Sequence, residues 1–195
     1  MKKITLSLIA FLFYSISYSQ FIKTVLPTPQ FANALEKIVL DFRFGYHTIQ
    51  IDSTMLTQGE YDTYNTTVSL PGSTDNEIMR FHSKKDSTAA FQAVFYEGDD
   101  YDEAVKAYKN CVLMIRKSRM KWFDNRPLTF SGKDVDPDPS VSFATSTLLL
   151  NVYDKRYENF CAEINLQRYL TGWQVMASFH TRHSDMEGPT KEPEY

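Results

Sequence analysis

The stretch FCAEINLQRYLTGWQVMASF, residues 160–179, alternates over two runs separated by a short break. Phe160, Ala162, Ile164 and Leu166 fall on one side of the first run, and Cys161, Glu163, Asn165 and Gln167 on the other. Trp173, Val175, Ala177 and Phe179 repeat the pattern in the second run, after Leu170-Thr171-Gly172. A period of two sends successive side chains to opposite faces of a strand. Two such runs joined by a glycine-containing turn read as an antiparallel hairpin with one apolar face.

Working outward, Leu148, Leu150 and Val152 line a preceding run, which makes a three-strand meander. A similar set lies earlier in the chain. Tyr64, Thr66, Val68 and Leu70 share a face, Met79 and Phe81 point inward on the next run, and Phe91, Ala93 and Phe95 line the third. Residues 71–75 and 83–86 supply the turns between them. Residues 52–62 are polar and rich in threonine and read as a loop after a short strand at 48–51.

Each meander follows a helical pattern. Thr28 suits an N-cap and Pro29 the first helical position, after which Phe31, Leu35, Ile38 and Phe42 form one stripe that Gly45 ends. Asp100 and Glu103 have capping-box spacing ahead of Tyr101, Ala104, Tyr108, Cys111, Met114 and Ile115. The pattern predicts an α+β fold, two helices packed on antiparallel sheet, in a tandem α-βββ order. Residues 20–181 then form a single α+β domain with halves at 27–98 and 99–181, and the tail 182–195 reads as disordered.

The N-terminus carries a targeting signal. Lys2 and Lys3 precede a mostly apolar stretch over residues 4–16, and Ser17-Tyr18-Ser19 places small residues at −3 and −1 of a cut before Gln20. This is the pattern of a signal peptide, assigned to residues 1–19. Thirteen helical residues rise only about 20 Å, short of a bilayer core of about 30 Å. The signal resembles those of Gram-negative bacteria and predicts a periplasmic or extracellular protein. No later stretch is long and apolar enough for a membrane span in the mature chain.

Composition excludes several functions. Loss of Lys2 and Lys3 makes a chain of net charge −3 more acidic, which argues against nucleic-acid binding. Seven scattered glycines leave no dinucleotide fingerprint and no phosphate-binding loop. Neither a zinc-protease helix motif nor a nucleophile elbow occurs. Two cysteines are too few for a disulfide scaffold.

Five features bear on chemistry. Asp134, Asp136 and Asp138 alternate like the start of a calcium loop, but Pro139 and Thr145 stand where an EF-hand needs glycine and glutamate, so they read as a solvated acidic loop. His180 and His183, near Asp185 and Glu187, have zinc-ligand chemistry, yet residues three apart on a strand face opposite ways. Cys111 and Cys161 fall on different faces, which argues against a bond. The basic run 116–121 suits a helix C-terminus, where positive charge is favoured. Asp52-Ser53-Thr54 and Asp86-Ser87-Thr88 look like O-glycosylation acceptors in loops, and Asn65-Thr66-Thr67 matches an N-glycan sequon.

The second face of the C-terminal meander is the candidate ligand surface. Tyr153, Asn165, Gln167, Tyr169 and Gln174 share it, an uncharged polar and aromatic set suited to a protein, peptide or glycan partner. No catalytic constellation, cofactor or metal site is assigned. The reading is a small exported, non-enzymatic binding or interaction protein. An exported hydrolase with a dispersed site, using His180 or His183, and a calcium-stabilised structural module are the alternatives.

Overall fold

The computed structural model describes residues 26–82, 88–122 and 126–182. Helix α1 spans Pro29–Asp41, with the Phe31 amide donating to Thr28 Oγ1 at 3.2 Å. A 3-10 turn, Phe42–Phe44, follows and ends at Gly45, whose φ of 60° is the left-handed conformation that glycine adopts freely. Four strands come next: β1 Gln50–Gln58, β2 Tyr61–Thr66, β3 Asp75–Phe81 and β4 Ala89–Gly98. Helix α2, Tyr101–Lys117, begins where the Glu103 amide donates to Asp100 Oδ1 at 3.1 Å. A small ribbon, β5 Met120–Lys121 with β6 Pro127–Leu128, leads to β7 Phe130–Lys133, β8 Phe143–Leu150, β9 Phe160–Tyr169 and β10 Gly172–Thr181.

The large sheet is antiparallel throughout, in the order β1-β2-β3-β4-β10-β9-β8-β7. β4, the last strand before α2, and β10, the last strand of the sheet, pair at its centre. Phe179 lies opposite Phe91 on β4 and Ala162 on β9, and Ala177 opposite Ala93 and Ile164. These six residues make the inner face. Helix α2 packs over β10, β4 and β9, while α1 rests on β5 and reaches the same core through the 3-10 turn. There the Phe42 ring meets Phe160 at 4.4 Å between centroids. The α+β class, two helices on antiparallel sheet, is as the pattern predicts.

The details differ in four places. Residues 50–58 form a nine-residue strand, and Gly59 at φ 53° turns it into β2, so most of the expected polar loop is sheet. β1 lies at the sheet's edge, where few apolar residues are needed on either face. β7 adds a second unexpected strand, so four strands of the large sheet precede α2 and four follow it, where three and three were expected. On β3 the inward residue is Ile78, fully buried opposite Phe91, whereas Met79 and Phe81 point to the other face. That run carries apolar residues on both parities, so alternation alone could not choose. Finally, the pairing shifts between Tyr96–Val175 and Val94–Met176, a bulge at Phe95 where both Phe95 and Tyr96 pack, partly buried, against the core that holds Phe91 and Ala93.

Candidate functional site

The helices cover one face of the sheet, and the second face of β8, β9 and β10 carries the candidate ligand residues. Asn165, Gln167 and Tyr169 share this face on β9, and Gln174 of β10 lies directly opposite Gln167. β8 adds Thr145 opposite Asn165 and Phe143 opposite Gln167. The Thr145 hydroxyl donates to Asn165 Oδ1 at 2.6 Å, which fixes that amide, and Gln174 Nε2 donates to Glu97 Oε1 at 2.6 Å. A shallow depression of about 300 Å³ runs along Phe143, Thr145, Asn165 and Gln167. Phe143 is 68% exposed, an apolar ring facing solvent beside amides.

Tyr153 does not join this surface. β8 ends at Leu150, and the chain leaves the ladder through a turn in which the Val152 amide donates to Leu150 O. Asp154 then caps a short 3-10 turn, Lys155–Tyr157, by accepting from the Arg156 amide, so Tyr153 projects fully exposed from a connection. Phe143 takes its place as the second ring of the patch. Its parity with Thr145 and Thr147 was the available signal, masked by a loop that enters the strand at Ser142.

The far end of the same face brings together three groups. His180 of β10 lies opposite Cys161 of β9, and Glu163 is two residues along from Cys161. The Cys161 Sγ, a Glu163 carboxylate oxygen and a His180 ring nitrogen lie within 4.8 Å of one another. His180 Nε2 is 3.3 Å from Glu163 Oε2, and its Nδ1 donates to the Thr181 main-chain carbonyl at 2.8 Å. The hydrogen bond from His180 holds the Glu163 carboxyl below the usual carboxylate range, with burial opposing. Burial pushes the Cys161 thiol up to about 12, with Glu163 adding to the rise and Arg182 opposing it. Cys161 is on the open face as its parity requires, yet fully buried among its neighbours.

Other expected features resolve into ordinary structure. Asp134 pairs with Arg116, Asp136 with Lys109 at 2.9 Å, and Asp138 accepts from the Ser140 amide and hydroxyl. The three acids therefore answer to three different partners. Cys111 and Cys161 are both free, and the sheet separates them, since Cys111 belongs to the core beneath α2. Asp52-Ser53-Thr54 falls within β1 rather than a loop. Asn65 and Thr66 of the sequon end β2, and Thr67 follows it. His183, Asp185, Glu187 and the start of the second acceptor, Asp86-Ser87, lie outside the described residues, as do residues 1–19.

Among the described residues, no helix is long and apolar enough to cross a membrane. No protein-family model matches this chain, and no match was found among the curated proteins or the solved structures.

Proposed function

We propose that this chain is an exported, non-enzymatic binding protein that holds an uncharged glycan on the open face of β8, β9 and β10. The observation that carries the reading is the pairing of Phe143 with Gln167 and of Gln167 with Gln174 across three neighbouring strands. An exposed ring beside a row of amides offers a flat apolar surface and hydrogen bonds in both directions, which matches a sugar's C–H face and hydroxyls. β9 and β10 are paired on both sides along this surface, so their main-chain groups are committed to the ladder, while β7 covers β8 only over Thr147–Leu150. A peptide gains most of its affinity from main-chain pairing at a sheet edge, so this surface favours a ligand read by side chains. Export rests on the charged, apolar and small-residue pattern of residues 1–19.

Hydrolysis is less well supported. Cys161 lies directly opposite His180, but burial raises its thiol, which disfavours the nucleophilic thiolate, and the thiol donates to the His180 main-chain carbonyl at 3.7 Å.

The test is titration of the isotope-labelled protein with neutral oligosaccharides, followed by amide and side-chain NMR shifts. Shifts centred on Asn165, Gln167 and Gln174 are expected, with affinity falling about tenfold in Phe143→Ala, or about 1.4 kcal/mol. Shifts centred elsewhere, or binding of unstructured peptides in preference to every sugar, would overturn the reading.

A further inference from the structure

We propose that Cys161, Glu163 and His180 form a site for a zinc-class divalent cation, at the opposite end of the face from the glycan surface. The three side chains are a soft sulfur, a borderline nitrogen and a carboxylate oxygen, the donor set that zinc takes in combination. They come from two paired strands of a sheet, so their Cα positions are held by the ladder rather than by a loop: Cys161 opposes His180, and Glu163 lies two residues further along β9.

Geometry fits the ion. With bonds of about 2.0 to 2.3 Å, the ligand atoms of a tetrahedral zinc site lie about 3.3 to 3.7 Å apart. His180 Nε2 and Glu163 Oε2 are already 3.3 Å apart, and all three donor atoms fall within 4.8 Å. Small side-chain rotations close the remaining gap.

The histidine is oriented for the task. A carbonyl oxygen cannot donate, so Nδ1 carries the proton in its 2.8 Å contact with Thr181 O. Nε2 is then the nitrogen that faces Cys161 and Glu163. A ligating histidine commonly donates its other N–H to a carbonyl in this way, which fixes the ring and its tautomer.

The site is also reachable. The side chains of His180 and Glu163 keep 23% and 30% of their exposure, while Cys161 closes the inner side. As the metal bonds form, the Cys161 thiol proton and the Nε2 proton that His180 shares with Glu163 both leave to solvent, so the ligands are a thiolate and a neutral imidazole that keeps its Nδ1–H on Thr181 O. A fourth position remains for water or for an atom of a bound partner.

Cobalt(II) is the probe, because a cobalt–thiolate bond gives a charge-transfer band that oxygen and nitrogen ligands do not. The expected result is one equivalent of cobalt bound with that band, displaced by zinc. The band disappears in Cys161→Ser and persists in Cys111→Ser. Affinity falls at least tenfold in Glu163→Gln and in His180→Gln, with far-ultraviolet circular dichroism unchanged. If Cys161→Ser fails to fold, the Cys111, Glu163 and His180 variants still decide the matter. The inference is overturned if no thiolate band forms. It is equally overturned if binding survives Glu163→Gln and His180→Gln but is lost in His183→Ala, which would place the ion on the tail.

Discussion

The hydroxyl of Tyr46 donates to the main-chain carbonyl of Phe179 at 2.8 Å, joining residues 133 positions apart. Tyr46 follows α1 at φ 64°, a left-handed conformation that costs a bulky residue about 1 kcal/mol or more. It is held there because its ring is fully buried, 6.2 Å from Phe91, and its hydroxyl has a partner on β10, at the centre of the sheet. Tyr46→Phe keeps the ring and removes only the donor. A loss of about 1 kcal/mol is expected, read as a lower urea midpoint at unchanged slope.

Asp41 makes the matching contact on the other side of that turn. Buried at the end of α1, its carboxylate accepts from the Thr48 amide at 3.2 Å, the Ile49 amide at 3.3 Å and the Thr48 hydroxyl. These bonds fold residues 42–49 back toward the sheet and start β1 in register. Asp41→Asn keeps the size but replaces one accepting oxygen with a donor that faces N–H groups. Hydrogen bonds to a charged group contribute more than neutral ones, so a destabilisation of about 2 kcal/mol is expected in equilibrium unfolding.

Those two contacts also show what the sequence could and could not disclose. Helix stripes and caps were readable because Thr28, Pro29 and Asp100 act on neighbours within three residues. The hairpin of β9 and β10 was readable because its inner face is uninterrupted from Phe160 to Leu166 and from Trp173 to Phe179. β1 was not, since an edge strand need not alternate, and β7 is only four residues long. Four of the five proposed ligand residues lie on one face, and the miss, Tyr153, depended on where β8 stops. The grouping of Cys161, Glu163 and His180 was out of reach for a different reason. It depends on strand register, which sets His180 against Cys161, whereas the His-x-x-His spacing pairs His180 with His183, a residue outside the described ones.

Gly132 holds the sheet's C-terminal edge. A Cβ built there would lie 2.2 Å from the Thr147 carbonyl oxygen and 3.0 Å from Leu148 Cα, both main-chain atoms that cannot swing aside. Gly132→Ala must therefore push β7 away from β8. Phe130 and Leu150 are paired across the same two strands and are both buried, so the displacement is resisted by the core. A cost of about 1–3 kcal/mol is expected. Hydrogen exchange checks the location: amides of β7 and the facing side of β8 should lose protection, while those of β10 keep theirs.

Alkaline pH should unfold the protein through its buried acids. Burial raises the Tyr46 hydroxyl well above its ordinary 10.0, with Cys161 and Asp41 adding to the rise, and burial likewise raises the Cys111 thiol far above 9.0. In the unfolded chain these groups lose their protons near the ordinary values, while in the folded chain they keep them. Their contribution is therefore fully present below about pH 9 and is lost as pH climbs past 9 and 10. Tyr108 and Tyr157, also raised chiefly by burial, steepen the same decline. The urea midpoint should be flat with respect to these groups from neutral pH to about 9 and fall above it. In Tyr46→Phe the fall should be shallower, because one of the suppressed ionisations is gone. Phenolate absorbance checks the cause: the Tyr46 share of it should appear together with unfolding rather than as an independent titration, and a native-state titration of Tyr46, Tyr108 and Tyr157 near 10.0 would refute the account.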